Sequence, residues 1–351
     1  MRILYGVTGE GLGHAMRAQV LLAHLASQGH RVLVAASGRA ARLLSADNEV
    51  VTIDGFSIRY ADGAVQRART LADNAKSALG SLHRNAGVAF DEVAAFAPEC
   101  VVTDFDSFSH VVGRVLGCPI VSFDHQHVLS HFVHPVEVRR RLSYDFGLAS
   151  HFVQRKMSGC DRYLVTSFFA PQTRPRHAKS TTLVGPVIRA QLHHVVPTAG
   201  EHVVVYQTAT GDARLEDSLR GVPGVAFRVY GLGARPSRGN VEYRAFDEDG
   251  FVRDLASARA VVANGGYTTL SEALFLGKPV LSIPVRHQGE QELNAAWLHH
   301  LGLGEMASRP SSRAIRSFLA HADRTESSRK RVPCGTAQAK SALDAALSEL
   351  S

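Results

Sequence analysis

The stretch VVANGGYTTLSEALFLGKPVLSIPVRHQGEQELNAA, residues 261–296, decides the fold of this chain. A short apolar run, Ala260–Ala263, meets the turn Asn264-Gly265-Gly266, and Thr268 then opens an amphipathic segment with leucines at helical spacing. Gly277-Lys278-Pro279 ends that segment, and a second apolar run follows at Val280–Ile283. This order predicts a strand, a glycine turn, a helix and a second strand, which is the repeating unit of an α/β protein.

The glycine turn has the composition of a phosphate-binding site. Glycine removes the Cβ where a backbone must approach a ligand closely, and the N–H groups of a helix N-terminus attract an anion. Glu272 follows in the first turns of the predicted helix, where a carboxylate can reach vicinal hydroxyls beside a phosphate. A glycine turn that serves only the fold is the alternative, because short glycine motifs have many false positives.

The same stretch resembles the donor-binding segment of GT-B glycosyltransferases, in particular the superfamily of the peptidoglycan N-acetylglucosaminyltransferase and the UDP-glycosyltransferases. The shared pattern is the glycine turn, Thr268, Glu272, Gly-x-Pro, then Glu290-Gln291 and, after two residues, Asn294-Ala295. The resemblance implies an α/β fold of two Rossmann-like domains that face each other across a cleft. Residues 1–190 are then the acceptor domain and residues 200–335 the donor domain, with a C-terminal helix in residues 336–351 packing back on the first domain.

For the donor domain, the resemblance implies a nucleotide-sugar site. The glycine turns are expected at the diphosphate, Glu272 at the ribose, Phe246 along the nucleobase and Glu290 with Gln291 at the sugar; a core position is the alternative for Phe246. The nucleotide is expected to be UDP, with dTDP and GDP as alternatives. The predicted donor-binding residues are Thr208, Thr210, Phe246, Gly265, Gly266, Tyr267, Thr268, Glu272, Glu290 and Gln291.

Another glycine turn, Thr8–His14, follows the first predicted strand and precedes a helix predicted from Ala15 to Gln28. Its spacing differs from the dinucleotide fingerprint G-x-G-x-x-G, although Ser37-Gly38-Arg39 after the second strand leaves NADP binding as an alternative. By resemblance, this turn faces the acceptor, with Gly11 and Gly13 on the acceptor side and His14 as the general base. An imidazole with its ordinary pKa of about 6.5 suits that role. A structural hydrogen bond at the turn is the alternative for His14.

Two carboxylates follow the predicted strand Pro98–Thr103. A carboxylate at this edge of the sheet can orient His14 and stabilise its protonated form. We expect Asp104 to fill this role, with Asp106 as the second choice. The alternative for Asp106 is the N-cap of a helix predicted around His110–Leu116.

A histidine cluster follows the strand predicted at Pro119–Phe123. His-x-His spacing can bind zinc, but only Asp124 accompanies the histidines, so we expect no metal site. His125 and His127 are predicted to be polar groups of the acceptor pocket, with ordinary loop histidines as the alternative. The cluster consists of His125, His127, His131 and His134.

The composition indicates a two-domain cytoplasmic protein with anionic partners. The length of 351 residues exceeds one usual hydrophobic core, and the net charge of +7 favours nucleotides or acidic lipid. No nucleic-acid-binding module is recognisable. The apolar run that follows Met1-Arg2 predicts a strand rather than a signal peptide, and four scattered cysteines fit a reducing compartment. The basic segment 137–157 is predicted either to touch the inner face of the membrane or to be a solvated surface.

These features together predict an inverting, metal-independent glycosyltransferase of the hexosyltransferase type. The nucleotide sugar is its substrate, so no cofactor is expected, and the acceptor hydroxyl belongs to a small molecule or a lipid-linked compound. Two alternatives stay open at this stage. One is a nucleotide-sugar 2-epimerase of the same architecture, and the other is a non-catalytic or NADP-binding α/β protein.

Overall fold

The structure is a computed structural model that describes residues 1–9, 11–55, 59–61, 63–207, 213–245, 247–324 and 330–351. Two mainly parallel sheets organise the described residues, one in each half of the chain. The strands of the first half are β1 (Arg2–Val7), β2 (Arg31–Ala36), β3 (Val50–Thr52), β4 (Tyr60–Ala61), β5 (Ala64–Val65), β6 (Cys100–Asp104), β7 (Ile120–Asp124), β8 (Phe132–Val133), β9 (Arg162–Thr166), β10 (Gln172–Thr173) and β11 (Thr181–Val184). Those of the second half are β12 (Val203–Tyr206), β13 (Phe227–Tyr230), β14 (Arg235–Arg238), β15 (Val241–Tyr243), β16 (Ala260–Ala263), β17 (Val280–Ser282) and β18 (Glu305–Met306).

Helices alternate with these strands along the chain. The first half contains α1 (Leu12–Ser27), α2 (Gly38–Leu44), α3 (Arg67–Val88), α4 (Ala94–Phe96), α5 (Ser107–Leu116), α6 (Val128–His131), α7 (Val136–Arg139) and α8 (Tyr144–Lys156). The second half contains α9 (Ala213–Arg220), α10 (Glu248–Ser257), α11 (Tyr267–Phe275), α12 (Gly289–His300), α13 (Ser312–Ala322) and α14 (Thr336–Glu349). A π-helical turn lies at Ala89–Val93, and 3-10 turns lie at Pro175–His177 and Ala190–His193.

The strand orders are those of two doubly wound α/β domains. The first sheet runs β11-β9-β7-β6-β1-β2-β3 with every neighbouring pair parallel. The second runs β14-β15-β13-β12-β16-β17-β18, in which β14 alone pairs antiparallel. Two short ribbons, β4-β5 and β8-β10, stand outside these sheets. The predicted fold class, two Rossmann-like domains, is therefore confirmed.

Both faces of the central strands are buried, which explains their continuous apolar runs. In β1, Leu4 packs in one hydrophobic cluster while Ile3 and Tyr5 pack in another on the opposite face. In β16, Val261 and Val262 divide between two clusters in the same way. The helix predicted at Ala15 begins three residues earlier, because Gly11 is the N-cap residue.

The two halves of the chain contact each other at several places. Helix α14 returns to the first half, where its Leu343 shares a hydrophobic cluster with β1 and its Asp344 carboxylate lies 2.8 Å from His24 Nε2. The β4-β5 hairpin forms a further contact, through hydrogen bonds to the second half. The Val65 N–H donates to the Arg286 carbonyl (3.0 Å), and the Arg286 N–H donates to the Gly63 carbonyl (2.9 Å).

Candidate active site

A cavity of about 720 Å³ lies between the two halves, at the carboxyl ends of both parallel sheets. In open α/β sheets this is the edge at which ligands bind. The first half contributes the turn from Gly11 to His14, and the second contributes the corner from Gly266 to Thr269. The first turn of α12, which contains Glu290, closes a further side of the cavity.

The two glycine corners lie against each other. The Thr268 hydroxyl donates to the Gly13 carbonyl at 3.3 Å, although 255 residues separate them. A Cβ on Gly13 would lie 2.7 Å from Thr268 Oγ1, which is too close for a side chain. Gly265 has φ +104°, and a Cβ there would lie 2.5 Å from the Gln291 carbonyl. The glycines therefore bring two backbones together at the floor of the cavity.

Two helices begin at this floor, and glycine is the N-cap residue of both. Gly11 precedes α1 and Gly266 precedes α11, so neither N-cap side chain accepts a hydrogen bond from the first N–H groups. Neither helix has an acidic residue in its first turn. Unsatisfied N–H groups and the positive end of a helix dipole attract anions. The floor therefore suits a diphosphate.

His14 lies beside Asp104 on the first-domain side of the cavity. The parallel register pairs Val7 of β1 with Asp104 of β6, which places this carboxylate beside the glycine turn. His14 Nδ1 lies 2.8 Å from Asp104 Oδ1, and the His14 side chain keeps 14% of its surface exposed while Asp104 is fully buried. With Nδ1–H donating to Asp104, the Nε2 atom of His14 is left as a hydrogen-bond acceptor.

Arg17 holds Asp104 from the other side. Its Nε donates to Oδ2 at 2.7 Å and its Nη2 donates to Oδ1 at 2.6 Å, which is a bidentate ion pair. Burial alone would raise the pKa of Asp104, but the Arg17 guanidinium and His14 lower it below its usual value. Asp104 therefore stays ionised and can stabilise a protonated His14.

Asp106, the second choice for this role, has a different position. It is the N-cap of α5, and its carboxylate accepts from the Ser109 N–H at 2.8 Å. Burial raises its pKa. Of the two carboxylates, Asp104 therefore contacts His14, whereas Asp106 caps a helix, which is the alternative stated for it.

The residues predicted at the sugar, Glu290 and Gln291, line the same cavity. The Glu290 carboxylate accepts from the side-chain amide of Gln126 at 3.2 Å, across the cleft. Gln291 also lines the cavity, but its Oε1 accepts from the Val285 N–H at 3.0 Å and so holds the loop. Tyr267 is buried at the floor, and its hydroxyl lies 2.6 Å from Thr166 Oγ1 of the first half.

Of the predicted acceptor-side groups, Gly11 and Gly13 line the cavity, whereas both histidine rings are buried behind it. His125 stacks on Tyr267 with ring centroids 4.0 Å apart, and its nitrogens face the Thr166 carbonyl and Asn294 Oδ1. His127 Nδ1 lies 2.7 Å from Asp124 Oδ2. Both rings therefore have these partners in the protein interior rather than in the cleft.

His134 joins the two halves below the cavity. Its Nδ1 accepts from the indole N–H of Trp297 at 3.0 Å, and its Nε2 donates to the Val128 carbonyl at 3.0 Å. Both contacts require the neutral ring, and burial lowers the pKa of His134 to about 4. Within the described part of the chain, no group of three or more His, Cys, Asp or Glu side chains is arranged to hold a metal ion.

Glu272 is buried in α11 and is not among the residues that line the cavity. Arg189 Nε donates to its Oε1 at 2.6 Å and Arg189 Nη2 to its Oε2 at 3.0 Å, while Glu248 is 3.4 Å from the same guanidinium. The Glu272 side chain is 1% exposed. Burial raises its pKa, and Arg189 offsets only part of that shift. The ribose contact stays a prediction, and Arg189 is the partner that would orient the carboxylate for it.

Three predicted donor-binding residues, Thr208, Thr210 and Phe246, lie outside the described residues. The basic segment 137–157 includes α8, on which Tyr144, Leu148 and Phe152 are exposed at helical spacing. Its contact with a membrane stays a prediction. Among the residues that the structure describes, no helix is both long and apolar enough to span a bilayer.

Sequence reasoning did not identify Arg17, Arg189 or Gln126 as site residues. Arg17 is three positions after His14 on a helix, a spacing that places both on one face, so this signal was present. Arg189 follows β11 with no local pattern that indicates its partner. Gln126 stands between His125 and His127, which drew attention to the imidazoles instead.

Comparison with known proteins agrees with this geometry. The sequence model described as glycosyl transferase family 1 matches residues 1–322. The chain belongs to that family. Membership favours the glycosyltransferase interpretation of the first glycine turn over a dinucleotide site, and the predicted relationship to GT-B glycosyltransferases is confirmed.

Two relatives from archaea cover most of this family member. An uncharacterized glycosyltransferase of Methanosarcina acetivorans is 25% identical over 343 residues, with 88% of this chain and 86% of that protein covered. One from Methanosarcina mazei is 24% identical over 344 residues with the same coverage. Both alignments extend over the two domains, so the resemblance is not confined to the donor half.

Solved structures with the same fold include CalG4, the calicheamicin glycosyltransferase, with a TM-score of 0.64 and 17% identity over 100% of this chain and 99% of that one. The glycotransferase of kitacinnamycin has a TM-score of 0.63 and 18% identity, covering 99% and 95%. LpCGTa in complex with UDP has a TM-score of 0.59 and 14% identity, covering 100% and 95%. These likenesses support the two-domain fold of this glycosyltransferase.

Proposed function

We propose that this glycosyltransferase moves a hexose from a nucleotide diphosphate sugar to an acceptor hydroxyl with inversion at the anomeric carbon and without a bound metal. The observation that carries the proposal is the meeting of two features at one cavity. An imidazole held by a buried carboxylate lies on one side, and two glycine-capped helix N-termini form the floor. The first feature suits a base, and the second suits a diphosphate leaving group.

His14 is the proposed base. Its Nε2 is the acceptor atom, because Nδ1–H is directed at Asp104. The acceptor O–H transfers its proton to Nε2, and Asp104 stabilises the imidazolium that forms. Asp104 in turn depends on Arg17, which holds it ionised in the interior.

The proposed donor lies along the second domain. Its diphosphate binds at the N-terminus of α11 beside Gly266 and Thr268, and the Glu290 carboxylate accepts a hydrogen bond from a sugar hydroxyl. Glu272, oriented by Arg189, is the proposed ribose partner. UDP is the proposed nucleotide, ahead of dTDP and GDP, and the solved complex of LpCGTa with UDP supports this choice by analogy of fold.

The proposed step exchanges one bond for another. The acceptor oxygen attacks the anomeric carbon from the face opposite the diphosphate and forms the new glycosidic bond. The bond between that carbon and the phosphate oxygen breaks with its electron pair, so the nucleoside diphosphate leaves as an anion. Backbone N–H groups at the helix N-termini stabilise the departing charge in place of a metal.

The test is a transfer assay with EDTA present. UDP, dTDP and GDP sugars are each incubated with a panel of small hydroxyl acceptors and a lipid-linked alcohol, and nucleotide release is measured. The proton NMR spectrum of the product gives the anomeric configuration. Retention of configuration, or activity that EDTA abolishes, would contradict the proposed mechanism. Exchange at C2 of the sugar without any acceptor would instead show an epimerase.

A further inference from the structure

Gln126 lies between His14, the proposed base, and Glu290, the proposed partner of a sugar hydroxyl. It follows β7 in the first domain, and 7% of its surface is exposed. Its Nε2 lies 3.2 Å from Glu290 Oε2 of the second domain and 3.3 Å from His14 Nε2. One amide group thus bridges two elements of the site that come from different domains.

The orientation of this amide follows from its neighbours. An ionised carboxylate only accepts hydrogen bonds, so the NH2 group rather than the oxygen of Gln126 must face Glu290. His14 Nε2 is also an acceptor in the tautomer whose Nδ1–H donates to Asp104. Both hydrogens of the Gln126 amide therefore have partners in the protein, and the opposite orientation would set its oxygen against two acceptors.

The carbonyl oxygen of Gln126 has no such partner. Among the described residues, none donates a hydrogen bond to Oε1, and the atom is buried. Buried polar atoms are nearly always paired, because an unpaired one loses its hydration without compensation. Gln126 lines the 720 Å³ cavity, so a ligand there can supply the missing donor once a small shift of the amide exposes Oε1.

We propose that Gln126 is a specificity-determining residue whose Oε1 accepts a hydrogen bond from a substrate hydroxyl. Its Nε2 stays on Glu290, and the acceptor hydroxyl replaces it at His14 Nε2. This inference rests on the proposed glycosyl transfer. An O–H group has one proton, so the hydroxyl that gives its proton to His14 is not the one that binds Oε1. Gln126 therefore recognises a second, non-reacting hydroxyl, which belongs either to the donor sugar or to a polyhydroxylated acceptor.

The experiment compares Gln126→Met with the wild type and with Gln172→Met. Methionine has nearly the length of glutamine but no amide, and Gln172 is exposed on β10 outside the cavity. Dissociation constants for UDP and UDP-glucose, and KM and kcat for the acceptor found in the transfer assay, are measured for all three proteins. Monodeoxy analogues of UDP-glucose and of the acceptor complete the set.

If Oε1 binds the sugar, Gln126→Met weakens UDP-glucose about 10- to 100-fold and leaves UDP unchanged. One monodeoxy analogue of UDP-glucose then binds the wild type more weakly by the same factor. The variant binds this analogue as tightly as it binds UDP-glucose. If Oε1 binds the acceptor, Gln126→Met leaves the donor affinities unchanged and raises the KM for the acceptor by that factor. With the variant, one monodeoxy acceptor then has the same KM as the parent acceptor. Gln126→Asn, which withdraws the amide by one methylene, should give the same loss and serves if Gln126→Met does not fold.

The inference is overturned if both Gln126 variants match Gln172→Met in donor affinity, acceptor KM and preference among the deoxy analogues. It is also overturned if Gln126→Met lowers activity by one factor for parent and deoxy substrates alike, since that pattern indicates a structural role. The transfer assay with the wild-type protein is carried out first. If it shows no sugar transfer from any donor, that result contradicts the proposed function itself.

Discussion

Each half of the cleft contains a buried carboxylate clamped by a buried arginine. In the first domain, Arg17 binds Asp104 through Nε at 2.7 Å and Nη2 at 2.6 Å. In the second, Arg189 binds Glu272 through the same two nitrogens at 2.6 and 3.0 Å. The residues of both pairs lose nearly all contact with solvent. As ion pairs, the two arrangements are nearly identical.

They differ in the third neighbour. Asp104 also contacts His14, which lines the cavity, and the pKa of Asp104 is lowered. Arg189 instead meets a second carboxylate, Glu248, and the pKa of Glu272 is raised by burial. The comparison teaches that a buried carboxylate–arginine pair does not by itself indicate catalysis. The group attached to its far side decides whether the buried charge serves the chemical step, as proposed for Asp104, or the binding of the donor, as proposed for Glu272.

Alanine at either carboxylate should give the largest effect, because each change removes both hydrogen bonds that a buried carboxylate forms with a buried guanidinium. We expect Asp104→Ala and Glu272→Ala each to lower the free energy of unfolding by about 3–5 kcal/mol in urea denaturation. Asp104→Ala should also lower kcat about 100-fold or more. Glu272→Ala should leave kcat within a few-fold at saturating donor and weaken donor binding. Equal losses of kcat in both variants would remove the distinction between the pairs.

His14→Ala separates the chemistry of the first pair from its stability. The change removes the proposed base and leaves Asp104 paired with Arg17, so we expect kcat to fall about 10²- to 10⁴-fold. The free energy of unfolding should change by only about 1 kcal/mol, because His14 is partly exposed. Initial rates at saturating donor and a denaturation curve test both statements. Full activity would exclude His14 from the mechanism.

His134 extends the comparison to a buried group that must stay neutral. Its pKa is lowered from 6.5 to about 4, so the unfolded chain binds the proton more readily as the pH falls below 6.5. Stability should be complete at neutral pH and fall by about 3 kcal/mol between pH 6.5 and 4 from this residue alone. Protonation also breaks the hydrogen bond from Trp297, the single tryptophan of the chain.

Tryptophan fluorescence measured against pH, together with denaturation at each pH, tests this expectation. His134→Gln, whose side chain does not titrate, is the matched variant and should flatten the pH dependence. His131, whose pKa burial lowers to about 3, contributes in the same direction and remains in the variant. A pH dependence that is identical in wild type and variant would contradict the role of His134.

Lysine in place of either arginine should give the smallest effect. Lysine keeps the charge but cannot form two parallel N–H···O bonds, so each change should cost about 1–2 kcal/mol. Arg17→Lys should lower kcat up to about tenfold with unchanged donor affinity. Arg189→Lys should weaken donor binding by a similar factor with unchanged kcat. Steady-state kinetics and donor titration would show a reversed pattern if the pairs were assigned to the wrong roles.

Local pattern was sufficient to predict the fold and part of the site. Apolar runs such as Ala260–Ala263 predict strands that bury both faces, and this run matches its strand to the residue. The proximity of His14 and Asp104 also follows from topology, because both lie at the carboxyl edge of one parallel sheet. These properties depend on residues near each other in sequence or on strand order.

The remaining contacts depend on how the two domains meet, for which the sequence has no local signal. Glu272 has the position that predicts a ribose partner, but nothing near it indicates that Arg189 takes both of its oxygens. The burial of His125 similarly depends on Tyr267, which lies 142 positions later in the other domain. Side chains directed across an interface acquire their partners only when that interface forms.

The hairpin of β4 and β5 has a mechanical consequence. Its two hydrogen bonds with Arg286 tie the rim of the first domain to the loop that leads into Glu290. Any motion that widens the entrance must therefore break these bonds or drag the loop along with the hairpin. Admission of a substrate and alignment of Glu290 are thus linked through one short strand pairing, and the exchange of the Val65 and Arg286 amide protons with deuterium would report how often the entrance opens.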